Sequence, residues 1–211
     1  MRFGVDEAGK GPVIGSMFAA AVRGPAHLLP ADVDDSKRLT AAQRESIAAT
    51  VRDNEAINIG LAEISVERID GPTDMNTLTV EAHAEAIAAV AAPGDGGVLD
   101  AADVSPARFA DRVQTELSLD IDLRAEHQAD ESFVLVGAAS IVAKVARDRH
   151  VSALSEEFGE LGSGYPSDPV TRRFLAGFVE EHDRLPACAR SSWSTSQAVL
   201  EAAEQSSLAE F

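Results

Sequence analysis

The chain has very little cysteine and no long apolar run. Cys188 is the only cysteine among 211 residues, which excludes an internal disulfide and a zinc site built from cysteines. No stretch approaches the roughly 18 consecutive apolar residues of a membrane-spanning helix. The first residues include the acids Asp6 and Glu7 instead of the apolar segment of a secretion signal. We therefore expect a cytoplasmic protein with no membrane partner.

Lysine is also scarce. The sequence has 35 acidic residues against 18 basic ones, a net charge of −17. Only three of the bases are lysines: Lys10, Lys37 and Lys144. A coat of acids with few lysines keeps a protein hydrated in a salt-filled cytoplasm, so this composition is typical of a halophile. Taken alone, the charge argues against a nucleic-acid partner.

The acids are spread unevenly along the chain. Residues 53–131 hold 18 acids and 4 bases, whereas residues 132–173 hold five of each. A surface that faces a polyanion could be kept free of the acid coat in this way. This uneven distribution is therefore compatible with a nucleic-acid partner, despite the net negative charge.

The hydrophobic pattern predicts an α/β fold. Strands are expected over residues 2–6, 13–23, 56–66, 98–100 and 121–127. Helices are expected over about 40–53, 76–92, from Pro106 onward and over 133–158, with short helices in an extension over 159–211. An early hairpin followed by strands that alternate with helices indicates a mixed sheet flanked by helices. We expect one domain, with a catalytic core over 1–158 and the C-terminal helical extension over 159–211.

The loop after the first predicted strand allows two interpretations. Gly4 and Gly9-Lys10 have the spacing of a nucleotide-binding phosphate loop, but Gly11 stands where Ser or Thr must hold magnesium. Asp6 and Glu7 would also repel a phosphate there. The other interpretation makes the two acids ligands of a divalent cation, because such ions prefer oxygen donors.

Two further acids have similar positions. Asp100 ends the buried run Gly97-Val98-Leu99, and Asp130 lies between the last predicted strand and the long helix. Each could cap a helix instead, and singly the two roles are evenly balanced. Together with Asp6 and Glu7, however, they form the set of acids that holds two metals about 4 Å apart for hydrolysis at phosphorus.

These residues resemble ribonuclease HII, the type 2 ribonuclease H. The matching segments are 6–12 (DEAGKGP), 35–40 (DSKRLT), Asp100, 126–130 (EHQAD), 138–148 (AASIVAKVARD) and 162–168 (GSGYPSD). They occur in order and cover most of the chain. The length and the early first strand are similar to archaeal members.

The resemblance implies a ribonuclease H-like fold and an Mg²⁺- or Mn²⁺-dependent endoribonuclease with two divalent ions per site. The implied substrates are RNA–DNA hybrids and duplex DNA that contains single ribonucleotides. Cutting 5′ of the ribonucleotide would leave 3′-OH and 5′-phosphate ends.

The resemblance also implies the roles of site residues. Asp6, Glu7, Asp100 and Asp130 would be the catalytic metal ligands. Gly9, Lys10 and Gly11 match the loop that recognises the ribose 2′-OH, the group that separates RNA from DNA. Tyr165 matches a tyrosine that packs on the neighbouring sugar, and four further residues would face phosphates: Ser36, Lys37, Lys144 and Arg147.

Three positions depart from the family pattern. Lys10 stands where arginine is more frequent, Gln128 where lysine is common, and Phe133 where tyrosine is frequent. Lysine cannot make a planar two-pronged contact, so backbone N–H groups would carry more of the 2′-OH recognition. The departures concern substrate affinity and leave the four acids intact.

Three alternatives stay open from the sequence. A ribonuclease HIII uses similar acids but usually has an extra N-terminal domain, for which this chain has no room before its first strand. A non-catalytic acidic nucleic-acid-binding protein would bind duplexes without cutting them. A nucleotide hydrolase would turn over ATP. We expect a monomer, and no residue pattern supports a sliding-clamp partner.

The composition predicts that nuclease activity survives high salt. At about 1 M salt the screening length falls to about 3 Å, so binding must rest on direct contacts. Cleavage of an RNA–DNA hybrid should therefore be measured across a KCl series. Good activity near 0.1 M together with inactivity above about 1 M KCl would contradict this expectation.

Overall fold

The computed structural model describes residues 1–35 and 39–208. Its centre is a five-stranded sheet with the strand order β3-β2-β1-β4-β5. The strands are β1 (Arg2–Ala8), β2 (Met17–Arg23), β3 (Asn58–Ile64), β4 (Gly96–Asp100) and β5 (Asp122–Glu126). β1 is antiparallel to β2 but parallel to β4, and β4 is parallel to β5. The predicted mixed sheet of an α/β fold is confirmed.

The helices agree with most of the predicted ones. They are α1 (Ala41–Arg52), α2 (Val66–Ile69), α3 (Met75–Ala88), α4 (Pro106–Glu116), α5 (Val134–Phe158), α6 (Pro169–His182) and α7 (Ser194–Leu208). Thr40 caps α1 in a reciprocal capping box with Gln43. Ser105 caps α4, and Pro106 occupies its first turn, where a missing N–H costs nothing.

The chain divides into two compact units. The first comprises residues 1–8, 17–63 and 74–148, and therefore contains the sheet with α1, α3, α4 and most of α5. On one sheet face, Ala20 and Val22 of β2 pack with buried residues of α1 and α5. On the other, α3 packs against β1 and β2, and α4 packs against β5. Helices thus cover both faces of the sheet.

Gly4 marks a close approach inside the first unit. A Cβ at Gly4 would lie 2.3 Å from the backbone of Leu135 and Val136. Only glycine allows α5 to begin this close to β1. Gly4 therefore fixes the start of α5 directly over the strand that carries Asp6 and Glu7.

The second unit comprises residues 9–16, 64–73 and those from 149 onward. Its core contains Val13, Ile14, Leu161 and Leu175, with Phe158 and Phe174 packed against it. The predicted boundary at residue 158 stays a prediction. The compact units are interleaved along the sequence because the segment over residues 9–16 packs with the C-terminal helices.

Two local predictions are wrong. Residues 13–16 do not belong to β2, because the N–H groups of Val13 and Ile14 donate to the carbonyl of Gly164 instead of to a strand of the sheet. The C-terminal segment was expected to form short helices, but α6 has 14 residues and α7 has 15. Asp168 and Pro169 start α6 with a capping side chain and a first-turn proline.

Membrane insertion has no support in the described helices. Within residues 1–35 and 39–208, none of them combines the length and the hydropathy needed to span a bilayer.

The first unit contains a buried ion pair next to β4. Asp95 is 4% exposed and accepts hydrogen bonds from Arg23 Nε at 2.6 Å and from the N–H of Ala92 at 2.8 Å. The hydrogen bond from Arg23 is the main reason that the pKa of Asp95 lies well below its usual range. The charged form of Asp95 therefore stabilises the fold.

We predict that Asp95→Asn lowers the free energy of unfolding by about 1–3 kcal/mol near pH 7, because Arg23 loses its charged partner. A carboxyl with a lowered native pKa stabilises the fold above its unfolded pKa of about 4, and this contribution is lost as the pH falls toward the native pKa. Urea unfolding at several pH values should show that the difference in unfolding free energy between the native chain and Asp95→Asn becomes smaller below about pH 4. The exposed Asp122→Asn is the control, and an equal loss in both variants would contradict the prediction.

Candidate metal and nucleic-acid site

Asp6 and Glu7 lie near the carboxyl end of β1. Asp6 is 6% exposed, and its Oδ1 accepts the N–H of Glu7 at 2.7 Å. The hydroxyl of Ser140 on α5 also donates to the Asp6 carboxylate. Asp6 is thus held by the strand backbone and by α5.

Asp100 and Asp130 come from the neighbouring part of the sheet. Val5 pairs with Leu99 in the parallel register of β1 and β4, so Asp6 and Asp100 are the next residues on adjacent strands. Asp100 Oδ1 accepts the N–H of Ala129 at 2.7 Å, and Asp130 follows in a short 3₁₀ helix. Asp130 is 8% exposed. All four predicted acids therefore belong to one region of the first unit.

The four acids are close enough to influence one another's ionisation. Burial raises the pKa of Asp6 well above its usual range, and the charges of Glu7 and Asp100 raise it further. Burial also raises the pKa of Asp100, with added contributions from Glu7 and Asp130. Negative charge is therefore concentrated where it is poorly solvated. A bound cation would offset both the cost of burying these carboxylates and the repulsion between them.

This donor set fits a divalent cation. Carboxylate oxygens are the ligands that Mg²⁺ and Mn²⁺ prefer. Within residues 1–35 and 39–208, no three His, Cys, Asp or Glu side chains are arranged to enclose an ion as they stand. Binding of an ion by these acids would therefore require some side-chain adjustment. The assignment of these four acids as metal ligands stays a prediction.

His83 holds Glu7, a role that the sequence did not indicate. Its Nε2 lies 2.8 Å from Glu7 Oε2, and its ring, which is fully buried, meets Phe109 edge-on at 5.1 Å. The contact pairs a ring nitrogen with a carboxyl oxygen and so orients the Glu7 side chain. The available signal was a histidine inside the apolar face of α3, between the buried residues Ala82 and Ala84. A polar side chain at such a buried position ordinarily has a polar partner nearby.

The two predicted phosphate-facing residues on α5 have different surroundings. Lys144 Nζ donates to Ser140 Oγ at 2.8 Å, which links it through Ser140 to Asp6. Arg147 is only 7% exposed. Their contact with phosphates stays a prediction. Ser36 and Lys37, which were given the same role, lie outside the described residues.

The predicted 2′-OH loop lies in the second unit. Gly9 is buried with a φ of +90°, Lys10 is half-buried and Gly11 is exposed. The ring of Tyr165 lies 3.7 Å from the place a Cβ on Gly11 would occupy, and Tyr165 is 47% exposed. The structure therefore brings the tyrosine and the loop together, with an open ring face beside them.

Two departures from the family pattern also have defined positions. Gln128 is exposed and has a left-handed backbone with a φ of 56°. The guanidinium of Arg124 lies 4.7 Å from the ring centre of Phe133, so this ring contacts a cation without needing a tyrosine hydroxyl.

Comparison with known proteins agrees with this geometry. The family model described as ribonuclease HII matches residues 3–196. The chain belongs to the ribonuclease HII family. The ribonuclease HII of Haloarcula marismortui is 59% identical over the full length of both chains. That of Halobacterium salinarum is 57% identical and covers 100% of this chain and 99% of its own.

Solved structures extend the similarity to the fold. The ribonuclease H2 of Pyrococcus horikoshii has a TM-score of 0.90 and 34% identity, covering 97% of this chain and 99% of its own. The structure of the PCNA:RNase HII complex from Archaeoglobus fulgidus has a TM-score of 0.82 and 36% identity, covering 94% and 96%. Both support a ribonuclease H-like fold with a C-terminal helix. This member of the ribonuclease HII family is a nuclease, an endoribonuclease that degrades RNA in RNA–DNA hybrids, and the family depends on divalent metals.

We predict that Asp6→Asn stabilises the metal-free protein while removing most of its response to metal. The substitution removes one buried charge from beside Glu7 and Asp100, so the unfolding midpoint in EDTA should rise by about 2–4 °C. Mn²⁺ should raise the unfolding midpoint of the native chain by mass action. It should raise the midpoint of Asp6→Asn far less.

Thermal unfolding in EDTA and in Mn²⁺ measures both effects. The exposed acid Asp111 on α4 supplies the control Asp111→Asn, which should respond to Mn²⁺ as the native chain does. An Asp6→Asn variant with the full response would mean that Asp6 does not hold metal.

Proposed function

We propose that this enzyme cuts duplex DNA on the 5′ side of a single embedded ribonucleotide, as well as RNA within hybrids, by two-metal-ion hydrolysis. The ends left would be 3′-OH and 5′-phosphate. The observation that carries the proposal is the convergence of Asp6, Glu7, Asp100 and Asp130, of which Asp6 and Asp130 are buried, at the ends of adjacent parallel strands. Such a site attracts divalent cations and would hold them against a phosphate.

Divalent ions bound by these acids supply activation of water and stabilisation of the leaving oxygen. The protein groups around them fix the ligands. His83 holds Glu7, Ser140 holds Asp6, and the N–H of Ala129 holds Asp100. Three of the four acids are thus each oriented by a second polar group, which is how metal sites keep their donors in place.

Recognition of the ribonucleotide is assigned to the loop over Gly9, Lys10 and Gly11 and to Tyr165. Glycine at positions 9 and 11 allows a close backbone approach to the sugar, and Lys10 adds a positive charge. The half-exposed ring of Tyr165 beside Gly11 would pack on the adjoining sugar. Lys144 and Arg147, with Ser36 and Lys37, are proposed to contact phosphates.

The acid coat is compatible with a polyanionic substrate under high salt. Screening over about 3 Å at about 1 M salt removes most long-range repulsion, and contact interactions then decide binding. The relatives from Haloarcula and Halobacterium support an enzyme adapted to such conditions. A sliding clamp is a further candidate partner, on the basis of the Archaeoglobus complex alone.

We predict one cut on the 5′ side of a ribonucleotide placed in a labelled DNA duplex, in KCl with Mn²⁺ or Mg²⁺. The all-DNA duplex should stay intact, as should the substrate in EDTA. Asp100→Asn removes a charge from the acid cluster and should lower kcat by at least about 100-fold, the scale on which a single electrostatic group acts in catalysis.

The matched control is Asp103→Asn, which should retain activity. Asp103 is a neighbouring acid, but it pairs with Arg108. Tight binding of the duplex without cleavage under either metal would instead indicate a non-catalytic binding protein.

A further inference from the structure

Arg190 is a buried cation that contacts the recognition loop. Its side chain is fully buried in the second unit. The guanidinium donates to three backbone carbonyls, those of Gly15 at 2.9 Å, Lys10 at 3.0 Å and Gly9 at 2.6 Å. One rigid side chain thus binds both ends of the segment that runs from Gly9 to Gly15.

The surroundings of Arg190 satisfy its buried guanidinium. A guanidinium is costly to bury unless its donors are satisfied. The three carbonyls supply acceptors to three guanidinium nitrogens, and the centre of the Trp193 ring lies 4.9 Å from the guanidinium carbon. The indole N–H of Trp193 donates to the carbonyl of Gly11 at 3.4 Å. The carbonyls of three successive loop residues are therefore held by Arg190 and Trp193.

Holding the carbonyls also orients the donors of the loop. A trans peptide unit is planar, so its N–H points opposite to its C=O. The carbonyl of Gly9 shares a peptide unit with the N–H of Lys10, and the carbonyl of Lys10 shares one with the N–H of Gly11. When Arg190 binds these two carbonyls, both N–H groups are directed away from the guanidinium. The φ of +90° at Gly9 permits this path.

We propose that Arg190 is a positioning residue for discrimination between RNA and DNA: it aims the N–H groups of Lys10 and Gly11 at the ribose 2′-OH. This inference rests on the proposed function, which assigns 2′-OH recognition to that loop. Arg190 itself does not contact the substrate. Lysine at position 190 would keep the charge, but its three donors share one nitrogen and cannot reproduce the fork whose three nitrogens each reach a different carbonyl.

The turn that carries Arg190 is fixed separately from the loop. Asp70 accepts hydrogen bonds from the backbone N–H groups and the hydroxyls of Ser191 and Ser192, at 2.6 to 2.9 Å. The N–H of Arg190 donates to the carbonyl of Val13 at 2.8 Å. Asp70→Asn therefore weakens the same turn without removing a contact to the loop carbonyls, and it is the matched control for general destabilisation.

The test measures substrate discrimination as a ratio. The ratio is the inhibition constant of the all-DNA duplex divided by the KM for a duplex with one ribonucleotide, both taken from the same cleavage assay. Both are concentrations of duplex, so a partly unfolded sample leaves their ratio unchanged. We expect Arg190→Lys and Arg190→Gln to reduce the ratio by about 10- to 100-fold, the loss that a misplacement of about 1 Å causes. Asp70→Asn should keep the native ratio even where its unfolding midpoint falls.

A folded Arg190→Lys or Arg190→Gln chain with the native ratio would overturn the inference. If neither variant folds in molar KCl, Trp193→Phe takes their place, since it removes the N–H donated to Gly11 and leaves only a smaller ring against the Arg190 guanidinium, which loosens the position of Arg190. A lower ratio in that variant supports the inference, and an unchanged ratio contradicts it. Failure of the native chain to prefer the ribonucleotide duplex would overturn the proposed function itself, and the inference with it.

Discussion

Buried negative charge is the constraint on which the rest of the site depends. Asp6 follows a strand interior of Phe3, Gly4 and Val5, and its neighbours Glu7 and Asp100 carry like charge. Such a group is tolerable only if polar contacts hold it and a cation can compensate it. The surrounding structure supplies the contacts through Ser140, His83 and the backbone after β5. The sheet thus holds poorly solvated carboxyl groups at this edge, an arrangement that the proposed cations would stabilise.

The sequence predicted the parts of the structure that depend on local signals. The helix expected over about 40–53 is α1, which Thr40 caps, and the strand expected over residues 98–100 lies within β4. The role of His83 depends on Glu7, which lies 76 residues away, and that of Arg190 depends on Gly9, 181 residues away. Residues 13–16 have the composition of a strand, but the N–H groups of Val13 and Ile14 donate to the carbonyl of Gly164. A single sequence does not reveal pairs this distant, since each residue alone has an ordinary role.

The contacts that shape the site are those that salt affects least. Attraction between exposed charges fades once the screening length is about 3 Å. The contact of His83 with Glu7 and the bonds from Arg190 to the loop carbonyls are all 3.0 Å or shorter and involve a fully buried side chain. Screening acts weakly on such bonds. An acid-coated protein can therefore keep a well-defined site while its surface adapts to salt.

The acids and the recognition loop follow one another along the chain but belong to different compact units. Glu7 lies in the first unit, and Gly9 opens the second after a single residue. The acids are held by Ser140 and His83 from the first unit, whereas the loop is held by Arg190 and Trp193 from the second. Because the supporting residues are separate, changes at Asp6 or Asp100 should act on metal binding and kcat. Changes at Arg190 should act on the choice between RNA and DNA, and a variant that altered both equally would show that the two supports are coupled.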